Sequence, residues 1–353
     1  MYTLLGFVCA LVLSLIFMPL IIKIAHSRKL FDEIDDRKIH TGNVPRLGGV
    51  GILLSFVAAI VIVNKGTGAG IETGNRFWVV VMCMLAVHVL GLIDDFRNLR
   101  AVYKFIIELA CSLALVALGF RFKSIALPFS PCGLDLGMVS FPLSIIWIIG
   151  ITNALNLIDG MDGLGGGISA FIASAFGVFF LLRNDPGAAL VCFALLGAIL
   201  GFLVFNFPPA KIFMGDCGAL SLGFTLAMLP LIGPASNRIE IGIVPSITVL
   251  VIPIYDTFAA MIRRLRAGVS IFMPDKGHLH HKLLDLGLDV KHALAVIYGA
   301  QALLCLVALS SLVLTRELSF FLNILLWVLY AIAFYFLGLA AGRKRVETCP
   351  IAG

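Results

Sequence analysis

The chain has 353 residues, 60% hydrophobic and 13% charged, with a formal net charge of +6. Soluble domains hold about 45–50% apolar and about 25% charged residues, so a water-soluble globular fold is excluded and an all-α polytopic integral membrane protein is expected. The surplus of positive charge then reports orientation in a membrane, and no nucleic acid is expected as a partner.

An apolar run of roughly 20 residues crosses a bilayer as a helix. About eleven such runs occur, at 3–24, 47–64, 77–93, 101–120, 142–158, 164–182, 188–206, 218–233, 240–260, 292–314 and 319–341. The first has no small-residue cleavage site behind it and is read as a retained helix. Lys and Arg fall on alternate loops, about 17 on one side and 7 on the other, which puts the richer side and the C-terminus in the cytoplasm and the N-terminus outside. One transmembrane domain over 1–353 is expected, with cytoplasmic polar loops near 25–46, 94–104, 153–163, 206–218 and 261–291. The eight cysteines are scattered singly, without zinc-like pairs, and read as inert core thiols.

In chain order, the first polar loop mixes acids, bases and a histidine in Asp32-Glu33-Ile34-Asp35-Asp36-Arg37-Lys38-Ile39-His40 and runs on to Pro45-Arg46-Leu47-Gly48-Gly49. Simple anchoring would need only Lys and Arg, so Lys38, His40 and Arg46 are candidates to bind an anionic substrate. The third run ends in Asp94-Asp95. Paired carboxylates at a membrane boundary repel one another and are costly to desolvate, which makes sense if a cation offsets them. Lys104 follows, placed either to contact a phosphate or to pair with Glu108 one turn on. His88, alone on an apolar segment, reads as an interior histidine. The outside loop over 122–141, broken by Pro128, Pro131 and Gly133, suits a small hairpin.

Asn153, Asn156, Asp159 and Asp162 recur every three residues after an apolar segment, a period that keeps them on one side of a helix. A glycine after each aspartate loosens the backbone where that helix should end. Gly165-Gly166-Gly167 then suits close helix packing. The seventh run ends at Asn206 before Pro208-Pro209, and Phe213-Met214-Gly215-Asp216 follows. Here the glycines around Asp216 predict an exposed re-entrant turn with a metal ligand, and Phe213 is placed to stack on a base. The longest cytoplasmic loop carries Arg263-Arg264-Leu265-Arg266 and His278-Leu279-His280-His281. These histidines lack the i, i+4 zinc pairing and a nearby cysteine, so a cationic, hydrogen-bonding lid of Arg264, His278, His280 and His281 over an anionic substrate fits better. All of these acids and cations fall on the cytoplasmic side. Such a mixture suits a Mg²⁺-bound diphosphate and a phosphoryl transfer to a lipid acceptor.

These motifs, spread from residue 32 to 286, resemble those of the polyprenyl-phosphate N-acetylhexosamine-1-phosphate transferases, and most closely the bacterial undecaprenyl-phosphate GlcNAc-1-phosphate transferases of the WecA/TagO type. The resemblance implies an eleven-helix fold in the bacterial inner membrane, often dimeric, that moves GlcNAc-1-phosphate from UDP-GlcNAc or a related UDP-HexNAc to undecaprenyl phosphate. It implies Mg²⁺, with Mn²⁺ as a substitute, held by Asp216 and Asn156. By the same likeness Lys104 contacts the diphosphate, Phe213 stacks on the uracil, Asp162 helps to recognise it, and Asn153 and Asn206 line the substrate site. Asp94, Asp95 and Asp159 are carried over as catalytic carboxylates. A phosphate monoester is mostly ionised near neutrality, its second pKa being about 6, so direct in-line attack by the lipid phosphate is expected over base catalysis or an aspartyl-phosphate.

Two positions depart from the family pattern: Ile34-Asp35 stands where relatives often have Pro-Asn, and Asn98 closes the aspartate-rich motif where many have Asp. A transporter is the rival class. Its acids should lie near the membrane midplane on broken, repeated helices, whereas these crowd one boundary and no repeat is found.

Overall fold

The structure is a computed structural model that describes residues 1–30, 44–68, 74–129, 133–232, 242–271, 273, 275 and 277–348. Thirteen α-helices follow in chain order among them: α1 Tyr2–Arg28, α2 Gly48–Thr67, α3 Asn75–Arg97, α4 Ala101–Ala117, α5 Ser140–Ile158, α6 Leu164–Leu182, α7 Pro186–Asn206, α8 Gly215–Met228, α9 Ile243–Val249, α10 Val251–Arg266, α11 Leu279–Asp285, α12 Val290–Ser310 and α13 Arg316–Thr348. The expected hairpin is present as β1 Ser124–Ile125 and β2 Leu134–Asp135, antiparallel, with Ser124 opposite Asp135.

Every expected apolar run coincides with helix, but not every one reaches spanning length. Among the described residues, eight helices are long and apolar enough to span, or nine when α9 and α10 are taken as one span bent by 77°. The other two runs are shorter. Helix α4 has 17 residues, about 26 Å of rise, and the apolar stretch of α8 ends at Leu231, against a hydrocarbon core of about 30 Å. The α9–α10 break has a chemical cause. Pro253 has no N–H to give Val249, and its ring crowds that carbonyl. Gln301 of α12, fully buried, donates Nε2 to the freed Val249 oxygen at 2.8 Å, which satisfies it where water is scarce.

Helix α6 is the most enclosed span, 78% buried along its apolar window, between α7 and α12. Helices α1 and α2 pack on α7, while α3 and α5 pack on α8. Glycine decides how closely these approach. A Cβ on Gly49 would lie 2.2 Å from the Gly218 nitrogen, and one on Gly91 2.5 Å from the Cys217 Cα. His88 is buried and its Nδ1 is 2.9 Å from Ser221 Oγ, the interior role expected of it. The six cysteines among the described residues are free.

Candidate active site

The ends of α3, α5 and α8 meet at one place because two loops are stitched together through their backbones. Phe213 N donates to the Pro45 carbonyl at 2.8 Å, and Gly48 N and Gly49 N donate to the carbonyls of Phe213 and Met214 at 2.9 and 2.8 Å. This sets the start of α8 beside Arg46. Gly215, at φ +74, opens α8 where a Cβ would lie 2.4 Å from the Arg46 carbonyl oxygen and 2.7 Å from Asp95 Oδ2. Asp216 is therefore not in an exposed turn. It stands in the first turn of α8 and is half-buried.

The two acids at the end of α3 do different work. Asp95 caps α8 from outside, accepting from Asp216 N at 2.7 Å and Cys217 N at 3.0 Å, where a carboxylate complements the helix dipole. Asp94, almost fully buried, takes Leu99 N on Oδ1 at 2.7 Å and the Lys104 ammonium on Oδ2. Lys104 thus pairs with Asp94, while Glu108 accepts from Asn153 Nδ2 at 2.5 Å. Asn98 ends α3 at φ +45, a left-handed C-cap that asparagine tolerates better than most residues.

Asn156 lies one turn after Asn153 on α5 and donates Nδ2 to Asp216 Oδ1 at 2.8 Å. The Asp216 carboxyl also reaches that of Asp94. Lys104, Asp94, Asp216 and Asn156 therefore form one chain of contacts across four helices. Helix α5 stops at Ile158. Asp159 then lies against Gly165, where a Cβ would come within 2.4 Å of its Oδ1. Burial pushes the Asp159 carboxyl up to about 7. The Gly165 amide opposes this, and Asp216 and Asp162 push the same way. Asp162 accepts from Ala210 N at 2.9 Å. Asn206 brackets the same region, accepting from Gly163 N and donating to the Ile212 carbonyl, both at 2.9 Å.

The histidine segment is ordered by a residue to which the sequence assigns no role. Asp256 of α10, 1% exposed, accepts from Leu279 N at 2.9 Å and lies 2.7 Å from His278 Nδ1. It thereby caps α11 and aims the ring. Its place at the end of an apolar run was visible; its partner 22 residues later was not. Arg264 turns inward to the Ile271 carbonyl, and the neighbouring Arg263 clasps Asp275 at 2.9 Å through Nε. His280 is 1% exposed and packs where a Cβ on Gly160 would be 2.7 Å from its ring. Burial, helped by His281, pushes His280 down to about 3. The expected cationic lid is thus neutral at His280, and its ring nitrogens have no hydrogen-bond partner among the described residues.

Of the site residues expected from sequence, Lys38 and His40 lie outside the described residues. Phe213 is half-buried at the stitched loop. Asp94, Lys104, Asn156 and Asp216 are in one contact chain, with Asp95 capping the helix that carries Asp216. Asn153, Asp162, Asn206 and Arg264 are each tied to protein groups around it. Among the described residues no group of three His, Cys, Asp or Glu side chains converges as a metal cluster. The donor set is instead two carboxylates in contact and one carboxamide. An amide turned by 180° presents oxygen in place of NH₂, and hard oxygen donors of this number suit Mg²⁺, which keeps waters and substrate phosphates in its shell.

A polytopic helical membrane protein with a carboxylate–amide–lysine site at its helix ends defines a class, and sequence comparison gives the family. Residues 77–233 match the model of glycosyl transferase family 4. The chain is 36% identical over 293 residues to a probable undecaprenyl-phosphate N-acetylglucosaminyl 1-phosphate transferase of Bacillus subtilis (strain 168), covering 83% of this chain and 80% of that protein. An undecaprenyl-phosphate alpha-N-acetylglucosaminyl 1-phosphate transferase of Yersinia pestis is 28% identical over 335 residues, 94% of this chain and 89% of its own. A decaprenyl-phosphate N-acetylglucosaminephosphotransferase of Mycobacterium tuberculosis (strain ATCC 25618 / H37Rv) is 33% identical over 287 residues, 74% of this chain and 71% of its own. The chain belongs to glycosyl transferase family 4. Within it, the chain is a member of the polyprenyl-phosphate N-acetylglucosamine-1-phosphate transferases.

Proposed function

We propose that the chain transfers GlcNAc-1-phosphate from UDP-GlcNAc to undecaprenyl phosphate at the cytoplasmic face of a bacterial inner membrane. An oxygen of the lipid phosphate attacks the β-phosphorus, the bond to the bridging α–β oxygen breaks, and UMP leaves with that oxygen. The observation that carries this reading is the contact chain Lys104–Asp94–Asp216–Asn156, which gathers acids and a cation at one helix-end cluster.

Phosphoryl transfer of this kind asks for positioning and charge neutralisation more than for covalent catalysis. Asp216 and Asn156 would hold Mg²⁺, which when bound supplies charge neutralisation on the diphosphate. Lys104, freed from Asp94 as the substrate arrives, contacts the transferring phosphate. Asp95 keeps the α8 N-terminus in register with α3, so that Asp216 meets Asn156. The uracil stacks on Phe213, and the neutral His280 can offer an N–H to the sugar phosphate.

The test uses the full chain in detergent with undecaprenyl phosphate, radiolabelled UDP-GlcNAc and Mg²⁺, with EDTA as control. Metal-dependent labelled lipid with release of UMP is expected. Labelled lipid only from another UDP-HexNAc would change the donor. Silence with every UDP-HexNAc from monodisperse protein would overturn the transferase reading.

A further inference from the structure

Helix α13 is the least enclosed span of the molecule, with 11% of its apolar window buried, yet it is fastened at two points. Near its start, Thr248 of α9 donates to Asn323 Oδ1 at 2.5 Å and accepts from Trp327 Nε1 at 2.8 Å. Eleven residues beyond Asn323, about 16 Å along the axis, Phe334 is 5% exposed and lies under the Lys282 ammonium, 3.3 Å from the ring centroid. Two more rings close this seat. Tyr255 of α10 meets Phe334 edge-on at 5.5 Å and Tyr330 at 5.6 Å.

Lys282 belongs to α11, the helix that carries His280 and His281. Seven residues do not make a stable helix alone, so what holds α11 in place decides where its histidines stand. One end is held by Asp256 through Leu279 N and His278. Its middle residue, Lys282, is held on the aromatic seat. Between them His280 lies parallel to His278 at 6.0 Å and against Gly160, next to Asp159. A cation over a ring face is attracted by the ring quadrupole, more strongly where water is scarce.

We propose that α13 latches the histidine helix: Lys282 and Phe334, through the cation–ring contact, are positioning residues that hold His278 and His280 for the nucleotide-sugar donor. The donor part of this rests on the function proposed above; the latch itself does not. Lys282→Met keeps the apolar stem and deletes the charge, Phe334→Leu keeps the apolar bulk and deletes the ring, and Phe334→Tyr keeps the ring.

The experiment compares the purified full chain with these variants and with the Lys282→Met/Phe334→Leu double variant. It reads hydrogen–deuterium exchange over 279–285 and steady-state kinetics with UDP-GlcNAc and undecaprenyl phosphate. Lys282→Met and Phe334→Leu should each speed exchange in α11 and raise the donor KM about 3- to 30-fold, the span expected from exposed to desolvated cation–ring pairs. Kcat should stay within about twofold and the lipid KM should not move. The double variant should be no worse than either single one, and Phe334→Tyr should match wild type. Unchanged α11 exchange in Lys282→Met overturns the latch, even if Phe334→Leu does not fold. Faster exchange with an unchanged donor KM overturns its role in donor binding, and Phe334→Tyr behaving like Phe334→Leu overturns the cation–ring contact. A wild-type chain silent with every UDP-HexNAc overturns the proposed function, while the exchange result still decides the latch.

Discussion

The carboxylate cluster and the histidine helix flank one site but are built by opposite means. Around Asp94, Asp216 and Asn156 the fit is made by backbone: loops joined carbonyl to amide at Pro45 and Phe213, and glycines at 49, 91 and 215 that leave no room for a Cβ. Around His278 and His280 it is made by side chains: Asp256 under the first turn, Arg263 on Asp275, Lys282 on Phe334. Backbone contacts have few alternatives, whereas side chains change rotamer at a cost of order 1 kcal/mol. The proposed metal–diphosphate site would need fixed donors, since a misplacement of about 1 Å can cost 100-fold in rate. The proposed donor-binding segment would have to admit and release a nucleotide sugar, so attachments that yield one at a time suit it.

The sharpest way to break this comparison is at Asp216. Asp216→Ala should lower kcat on the order of 10³-fold, as loss of a principal charge-stabilising group does, with an unchanged elution profile and melting temperature. Appreciable Mg²⁺-dependent turnover would remove Asp216 from the reaction and make the carboxylate cluster structural. Next in size is Gly49→Ala. Its Cβ would press on the Gly218 nitrogen and Cα, backbone atoms that cannot rotate aside. Overpacking of that kind costs about 1–3 kcal/mol, read as a lower melting temperature together with lost activity as α8 shifts. Normal stability in that variant would mean that the backbone fit is looser than the geometry implies.

The last effect lies on the histidine side and depends on pH. His280 is pushed down to about 3 by burial, while an unfolded histidine titrates near 6.5. Between those values the unfolded chain binds a proton that the folded one refuses, so stability falls as pH drops below about 6.5, by up to about 1.4 kcal/mol per pH unit. His280→Gln should flatten the decline of melting temperature between pH 6.5 and 4.5 relative to wild type. An unchanged slope would show that His280 takes up its proton while folded.

Much of this was legible in the chain itself. Hydropathy placed helix in each of the eleven apolar runs, and the spacing of three set Asn153 and Asn156 one turn apart on α5, although that helix stops at Ile158 and leaves Asp159 and Asp162 off it. The resemblance named the family. Both signals are local in sequence, because a bilayer selects apolar helices by length and a helix presents residues three apart together. What joined residues far apart was decided only by packing. Lys104 could pair with Glu108 by spacing, yet it meets Asp94, because α3 and α4 lie side by side and Asn153 takes Glu108. Asp95, adjacent to Asp94 in sequence, caps a helix that begins 120 residues later. Asp256 reached His278, and Gln301 answered Pro253, through contacts that no spacing encodes. A charge near water shows its sign in the sequence; which partner meets it after desolvation depends on the helix that packing places beside it.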